Sequence, residues 1–304
     1  MLDKRSAAVE PESVDRMPSV VDRRSLLAIA SVLGLCAFRP TRRAYARPAL
    51  AAESLADVPL ELGGDWGRSL PGSARLVILR MRAVCLYGVR LLSDRQPGRL
   101  RVDNHTSGLP HIWLHDDQPT TAWIVVDIGE RDWCKLAYQF GHELGHVLCN
   151  SWMRSASPSP PSQWLEEAMV EAFSIRGLGL LAASWEKAPP FAGDNAFAVS
   201  IRQYRQDLVT KYTSPDRDMA AWFRANRAAL ETGQRGTEGV AVLNILPVLE
   251  GEPGCVEDLG AVNRWPERTH VGAEDYLTKW QKSCAEIGAS GKLPARLRER
   301  LGLA

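Results

Sequence analysis

One short run constrains this chain more than any other part of it: Gly141-His142-Glu143-Leu144-Gly145-His146. Two histidines that stand four residues apart on a helix lie on the same face, one turn apart. Both imidazoles can therefore reach a single metal ion. Glu143, next to the first histidine, can face a water molecule on that ion. The run predicts a helix that carries a metal site.

The flanking sequence predicts two helices that meet across a proline-rich break. Asp132 can cap a helix from Trp133 to about Cys149, because apolar residues recur there at helical spacing. Those expected on the buried side are Leu136, Phe140, Leu144, Val147 and Leu148. Pro158, Pro160 and Pro161 cannot continue this helix. Ser162 is the predicted cap of a second helix over 163–182, which contains Glu166, Glu167 and Glu171.

The chain as a whole predicts an α+β fold in four segments. Residues 1–46 are a predicted signal segment, and 47–72 an irregular linker rich in Ala, Gly and Pro. Residues 73–182 combine an apolar helix with a small sheet, and 183–304 are mostly helical. The strands are predicted at Leu100–Asp103, His111–Leu114 and Trp123–Ile128, and the C-terminal helices at 196–213, 217–231, 238–250, 273–286 and 294–302. The metal-binding helix then lies at the junction of the two halves, with Trp123–Ile128 expected as the edge strand that pairs with a peptide.

The N-terminal segment has the pattern of an export signal. Arg23-Arg24 precedes an apolar run from Leu26 to Phe38, and Ala44-Tyr45-Ala46 offers a small-x-small cleavage pattern. Basic residues between the run and this pattern favour the twin-arginine route. We therefore expect an exported protein, periplasmic or secreted, that meets the membrane only through this signal. A retained signal anchor and a buried apolar helix remain alternatives.

Charge and cysteine content narrow the class of protein further. The formal net charge is only +1, so no basic field predicts a nucleic-acid partner. No C-x-x-C occurs, which argues against a zinc site made of cysteines alone. In an oxidising compartment up to two disulfides can form, and Cys255–Cys284 is one plausible pair.

Together, the run from Gly141 to Leu148 and the run Trp164-Leu165-Glu166-Glu167-Ala168 resemble the gluzincin superfamily of zinc metallopeptidases. The resemblance covers residues 125–175 and implies a zincin-like fold that hydrolyses peptide bonds of a peptide or protein substrate. It implies one Zn²⁺ per chain, held by His142, His146 and Glu167. It also makes Glu143 the general base that activates the metal-bound water, and Glu171 an acid that holds the other ring nitrogen of His142. Metzincins are excluded, because Cys149 and Trp152 stand where that branch needs Gly and His.

Several residues are alternative candidates for the metal ligands or for the group that stabilises the oxyanion. Glu166 is the rival third ligand, although its place in the first helical turn predicts an exposed acid favoured by the helix dipole. Cys149 is a less favoured ligand than a buried or disulfide-bonded cysteine. His105, His111 and His115 are expected to be surface or loop residues rather than ligands. Gluzincins usually supply a Tyr or His from the helical half to stabilise the oxyanion, and Gly236-Thr237-Glu238-Gly239, where such a tyrosine is expected, has none. The substitutes without a spacing argument are Tyr204, Tyr212, His270 and Tyr276.

Three functions are therefore consistent with the sequence. The first is an exported zinc-dependent metallopeptidase. The second is a non-catalytic exported protein that keeps the metal for structure or recognition, which the missing tyrosine favours and Glu143 opposes. The third is a metal-free helical protein in which the motif arose by chance.

Overall fold

The described residues contain one sheet, which has four short strands. The computed structural model describes residues 54–67, 71–105, 108–212, 218–234, 236, 238–266 and 269–303, so the predicted signal segment 1–46 lies outside the described residues. The strands are β1 (Leu60–Gly64), β2 (Arg99–Asn104), β3 (His111–Ile112) and β4 (Thr121–Val126). Their order is β1-β2-β4-β3. The first three in this order are parallel, and β3 runs antiparallel to β4.

Two expectations about the sheet were wrong. Strand β1 lies inside 47–72, which the composition had suggested to be irregular. Its two glycines are untypical of a strand, so the sequence pattern did not predict it. A Cβ on Gly64 would lie 2.3 Å from the backbone oxygen of Asn104, so the paired strands leave no room for a side chain there. Strand β4 is not an edge strand, because β3 pairs with its outer side through Ile112 and Ile124. The edge on that side is therefore β3.

Eight α-helices account for most of the rest of the described chain. They are α1 (Pro71–Leu86), α2 (Trp133–Leu148), α3 (Gln163–Lys187), α4 (Phe197–Lys211), α5 (Met219–Glu231), α6 (Gly239–Gly251), α7 (Ala273–Ile287) and α8 (Lys292–Arg300). Short 3₁₀ helices cover Arg154–Ala156 and Pro253–Ala261. Each predicted helix is present, and α3 continues beyond the boundary proposed at 182 and 183. Buried side chains of the sheet and of the helices join in one continuous core, so the structure is mixed α and β with a small sheet.

Local sequence explains why α2 begins where it does. The Asp132 side chain accepts a hydrogen bond from the backbone N–H of Lys135 at 3.2 Å, as an N-cap residue does. The five apolar residues expected on the inner side of α2 are all buried. Ser162 precedes α3 as predicted, but its side chain makes no capping hydrogen bond.

Two glycines of the metal motif allow α2 and α3 to pack at close range. A Cβ on Gly145 would lie 2.8 Å from Cβ of Val170, and one on Gly141 would lie 2.8 Å from Oγ of Ser174. These pairs run in opposite directions along the two helices, so the helices are antiparallel where they meet. The contact brings the glutamates of α3 beside the histidines of α2.

The cysteines and the apolar helices carry two further findings. The five cysteines of the described residues are buried as thiols, so the disulfide suggested between Cys255 and Cys284 is not present. Among the described helices, no single one is long and apolar enough to cross a membrane. Helix α6 and the 3₁₀ helix after it reach that length and composition only as a pair bent by 117°.

Candidate metal centre

Three side chains predicted as ligands converge between α2 and α3. His142, His146 and Glu167 each offer one ligand atom, and these atoms lie within 4.8 Å of one another. Oε2 of Glu167 is 3.4 Å from Nε2 of His142 and 3.5 Å from Nε2 of His146. The helical spacing places the two histidines, and the close packing of the helices adds the carboxylate. This cluster can hold a metal ion.

The spacing of these atoms suits a tetrahedral ion better than a direct hydrogen bond. Two ligand atoms at the bond lengths of a tetrahedral zinc ion are about 3.3 Å apart. The separations of 3.4 and 3.5 Å are close to that edge length, and they exceed the usual N–H···O range of about 2.7–3.2 Å. Two imidazole nitrogens and one carboxylate oxygen are also a donor set that zinc accepts, with a position left for water.

The outer ring nitrogen of His142 is held by a carboxylate. Nδ1 of His142 lies 3.0 Å from Oε2 of Glu171. Both Tyr138 and Tyr212 donate their hydroxyl protons to the same carboxylate at 2.9 Å. Glu171 therefore accepts from three donors, which fixes the His142 ring with Nε2 facing Glu167.

His146 also has a carboxylate partner, Glu166, which the sequence had predicted to be exposed to solvent. Nδ1 of His146 lies 2.8 Å from Oε1 of Glu166. Glu166 is fully buried, so the prediction that it is an exposed acid was wrong. The hydroxyl of Ser151 also donates to Oε1 of Glu166. The side-chain amide of Asn263 donates to Oε2 at 2.6 Å and to Oγ of Ser151 at 2.7 Å. Glu166 thus faces away from the ligand atoms and supports the ligand His146.

Helix α3 places these two carboxylates on opposite sides of Glu167. Glu166 is the residue before Glu167 and Glu171 is one turn after it, so each histidine receives a separate acid from the same helix. No local signal in the sequence marked Ser151 or Asn263 as part of the site. Asn263 stands 97 residues from Glu166, and its backbone has φ of +62°, a conformation that Asn adopts more readily than most residues.

The charges of the cluster support each other. Burial disfavours protonated His142, but the carboxylates of Glu167 and Glu171 outweigh it and raise the pKa of His142 to about 10. For Glu167, burial acts to raise the pKa, and the two histidines overcome it and hold this pKa far below its ordinary value. Burial raises the pKa of Glu143, against the opposing charges of His142 and His146. The site is thus built to balance buried charge, and Glu143 is the carboxylate whose environment favours holding a proton.

Two cavities meet at Glu143, one toward each end of α2. The first, of about 290 Å³, is lined by Leu109, Pro110, Tyr138, Gln139, His142, Glu143, Gln163, Trp164, Glu167, Glu171, Tyr212, Gly233, Gln234 and Glu238. The second, of about 180 Å³, is lined by Pro110, His111, Ile112, Leu114, His142, Glu143, His146, Ser151, Ser157, Pro158 and Glu167. Both cavities are lined in part by the segment 109–114, which contains edge strand β3. Glu143 is only 3% exposed, and it lines both cavities beside the histidines.

The remaining candidates lie outside the metal cluster. Cys149 is buried and does not join it, and the described residues contain no other group of three possible ligands so close together. His111 lines the second cavity, whereas His115 packs with Nε2 3.2 Å from the backbone oxygen of Thr121. Of the four substitutes for the oxyanion residue, only Tyr212 lines a cavity at the cluster. The others are Tyr204, which packs on Tyr138, exposed His270 and buried Tyr276.

Comparisons with known proteins give no family for this chain. A scan against protein-family models, a search of curated proteins and a search of solved structures each returned no significant match.

Proposed function

We propose that this protein is an exported zinc-dependent metallopeptidase of gluzincin type with a zincin-like fold. The observation that carries the proposal is the convergence of His142, His146 and Glu167, with Glu143 in the same cleft. The spacing of the ligand atoms and the two carboxylates behind the histidines support zinc, at one ion per chain.

The residues around the cleft have distinct tasks in this proposal. A zinc ion held there would polarise a substrate carbonyl and lower the pKa of water. Glu143, which lines both cavities beside the histidines, accepts the proton of the attacking water and delivers it to the leaving nitrogen. Glu166 and Glu171 keep the histidine rings oriented. Strand β3, with one side unpaired in the sheet, offers backbone groups to an extended peptide.

Metal analysis and peptide cleavage on matched variants test this proposal. The wild type should bind about one zinc ion and cleave members of a broad peptide library, and a chelator should stop cleavage. Glu143→Gln should keep the zinc and lose cleavage by about 10²-fold or more. Glu61→Gln removes an exposed carboxylate paired with Arg99 on the sheet, and it should leave both properties unchanged. Zinc binding without cleavage of any peptide would refute the proposed activity.

A non-catalytic metal-binding protein is the second candidate. The observation that favours it is that both tyrosines at the first cavity, Tyr138 and Tyr212, direct their hydroxyl groups to Glu171. A hydroxyl group that donates its proton to Glu171 does not donate it to a substrate oxygen. This candidate predicts that wild type and Glu143→Gln bind zinc and peptides alike and that neither cleaves them.

Export by the twin-arginine route belongs to the same proposal and has its own test. Arg23 and Arg24 precede the apolar run of the N-terminal segment. Replacing both by lysine should retain the protein in the cytoplasm, and fractionation of cells measures this. Unchanged export of the double variant would exclude the route.

A further inference from the structure

The larger cavity at the candidate metal centre combines apolar walls with negative charge. Its walls include Trp164, Tyr212, Leu109 and Pro110, and its volume is about 290 Å³. A cavity of about 150 Å³ already admits benzene. The space is therefore large enough for a long side chain, with aromatic surface for its methylene groups.

Four glutamates line this cavity, and three of them have tasks within the site. Glu167 faces both histidines, Glu171 accepts from three donors, and Glu143 is buried within the motif. Glu238 is the fourth. It is partly exposed, and no described residue forms an ion pair with it.

The described lining of the cavity offers no cationic side chain that would pair with Glu238. Among its described lining residues there is no lysine or arginine, and its only histidine is His142. Glu238 precedes α6, whose start carries a partial positive charge of about half a unit. That partial charge is smaller than the full charge of the carboxylate, so the described side of the cavity at Glu238 is negative.

Packing at the start of α6 keeps Glu238 beside an aromatic wall. A Cβ on Gly239 would lie 2.9 Å from Cδ1 of Tyr212, so the ring packs directly on the residue after Glu238. The charge of Glu238 also contributes to raising the pKa of Tyr212, after burial and Glu171. A side chain that enters along Tyr212 would therefore come close to Glu238.

We propose that this cavity is a substrate subsite for a lysine or arginine side chain, selected by Glu238. The inference rests on the proposed peptidase function and adds its specificity. The methylene stem lies against Trp164 and Tyr212, and the cationic end pairs with Glu238. A neutral side chain of equal length gains only the first contact, and an acidic one is repelled.

Peptides that differ only in charge test the subsite. Fluorogenic peptides carry lysine, norleucine or glutamate at each of three positions on either side of the cleaved bond. At one position the wild type should favour lysine over norleucine by about tenfold in kcat/KM and disfavour glutamate. Glu238→Gln should bring the lysine and norleucine values within about twofold, and Glu238→Lys should favour glutamate. Glu250→Gln, near the C-terminal end of α6 and paired with Arg205 outside the cavity, should keep the wild-type ratio.

A binding measurement separates this inference from the proposed catalysis. Labelled lysine and norleucine peptides are titrated into zinc-loaded Glu143→Gln, with and without Glu238→Gln, and anisotropy gives the affinities. A lysine preference of about tenfold that depends on Glu238 supports the subsite even if no peptide is cleaved. Equal affinities for the two peptides, or a preference that survives Glu238→Gln, would overturn it.

Discussion

Replacing Glu166 by glutamine should weaken zinc binding although Glu166 is not a proposed ligand. The carboxylate accepts from Nδ1 of His146 at 2.8 Å, from Asn263 at 2.6 Å and from Ser151. Glutamine keeps one oxygen and adds an NH₂ group. That group must face either His146 or Asn263, which sets a donor against a donor at a fully buried position.

The expected magnitude follows from these contacts. Loss of an outer partner of a metal-binding histidine costs about 10- to 100-fold in metal affinity, or about 1.4–2.7 kcal/mol. The mismatch also leaves a buried polar group unsatisfied, which lowers the free energy of unfolding by about 1–3 kcal/mol. Competition with a chromophoric chelator measures the zinc affinity, and urea unfolding of the metal-free protein measures stability.

Two comparisons make this prediction decisive. Glu171→Gln should cause a loss of similar size through His142, whereas Glu61→Gln, on the exposed side of β1, should change nothing. A folded Glu166→Gln protein that binds zinc within twofold of the wild type would refute the reasoning.

Three further predictions follow from packing, charge and cysteine chemistry. Gly145→Ala places a Cβ 2.8 Å from Cβ of Val170, so it should destabilise the protein by about 1–3 kcal/mol in urea unfolding and weaken zinc binding. Gly72→Ala in α1, where an added Cβ meets no atom within 4 Å, should do neither, and an equal loss in both variants would contradict the close-packing argument. The hydrogen bond from Arg90 lowers the pKa of Glu257, so this carboxylate stabilises the fold above pH about 4.3 and loses that effect as the pH falls; the stability difference between wild type and Glu257→Gln should shrink in acid, and a constant difference would exclude the effect. The five cysteines of the described residues should react with a thiol reagent only after unfolding. Fewer than five reactive thiols per chain in denatured mature protein that has not been treated with a reductant would mean that a disulfide forms.

The predictable parts of the site are those that short-range sequence determines. The pattern of apolar residues and the cap at Asp132 predicted α2, and helical spacing placed His142 and His146 on one face. The proline-rich break predicted that α3 begins after Ser162. The structure then brought Glu167 to the histidines, as the resemblance had implied.

The missed parts depend on contacts between distant residues. The dipole argument for Glu166 considers one isolated helix, but α3 is packed on several sides, so its first turn is buried. Asn263 comes to Glu166 from beyond α6, where no local pattern indicates a role in the site. The place of β4 inside the sheet likewise depends on how β3 returns beside it, and alternation within one strand does not determine that order.

The hydrogen bond between Asn263 and Glu166 also determines at what point of synthesis the site can be complete. A growing chain that has passed Glu167 already contains both histidines and the third proposed ligand. The amide that secures the support of His146 follows only 97 residues after Glu166. Asn150, next to Ser151, adds hydrogen bonds to the backbone oxygens of Gly260 and Val262 from the same late segment. A chain that stops short of residue 260 would therefore carry every proposed ligand and still hold a metal ion loosely, so tight loading would require synthesis to pass Asn263.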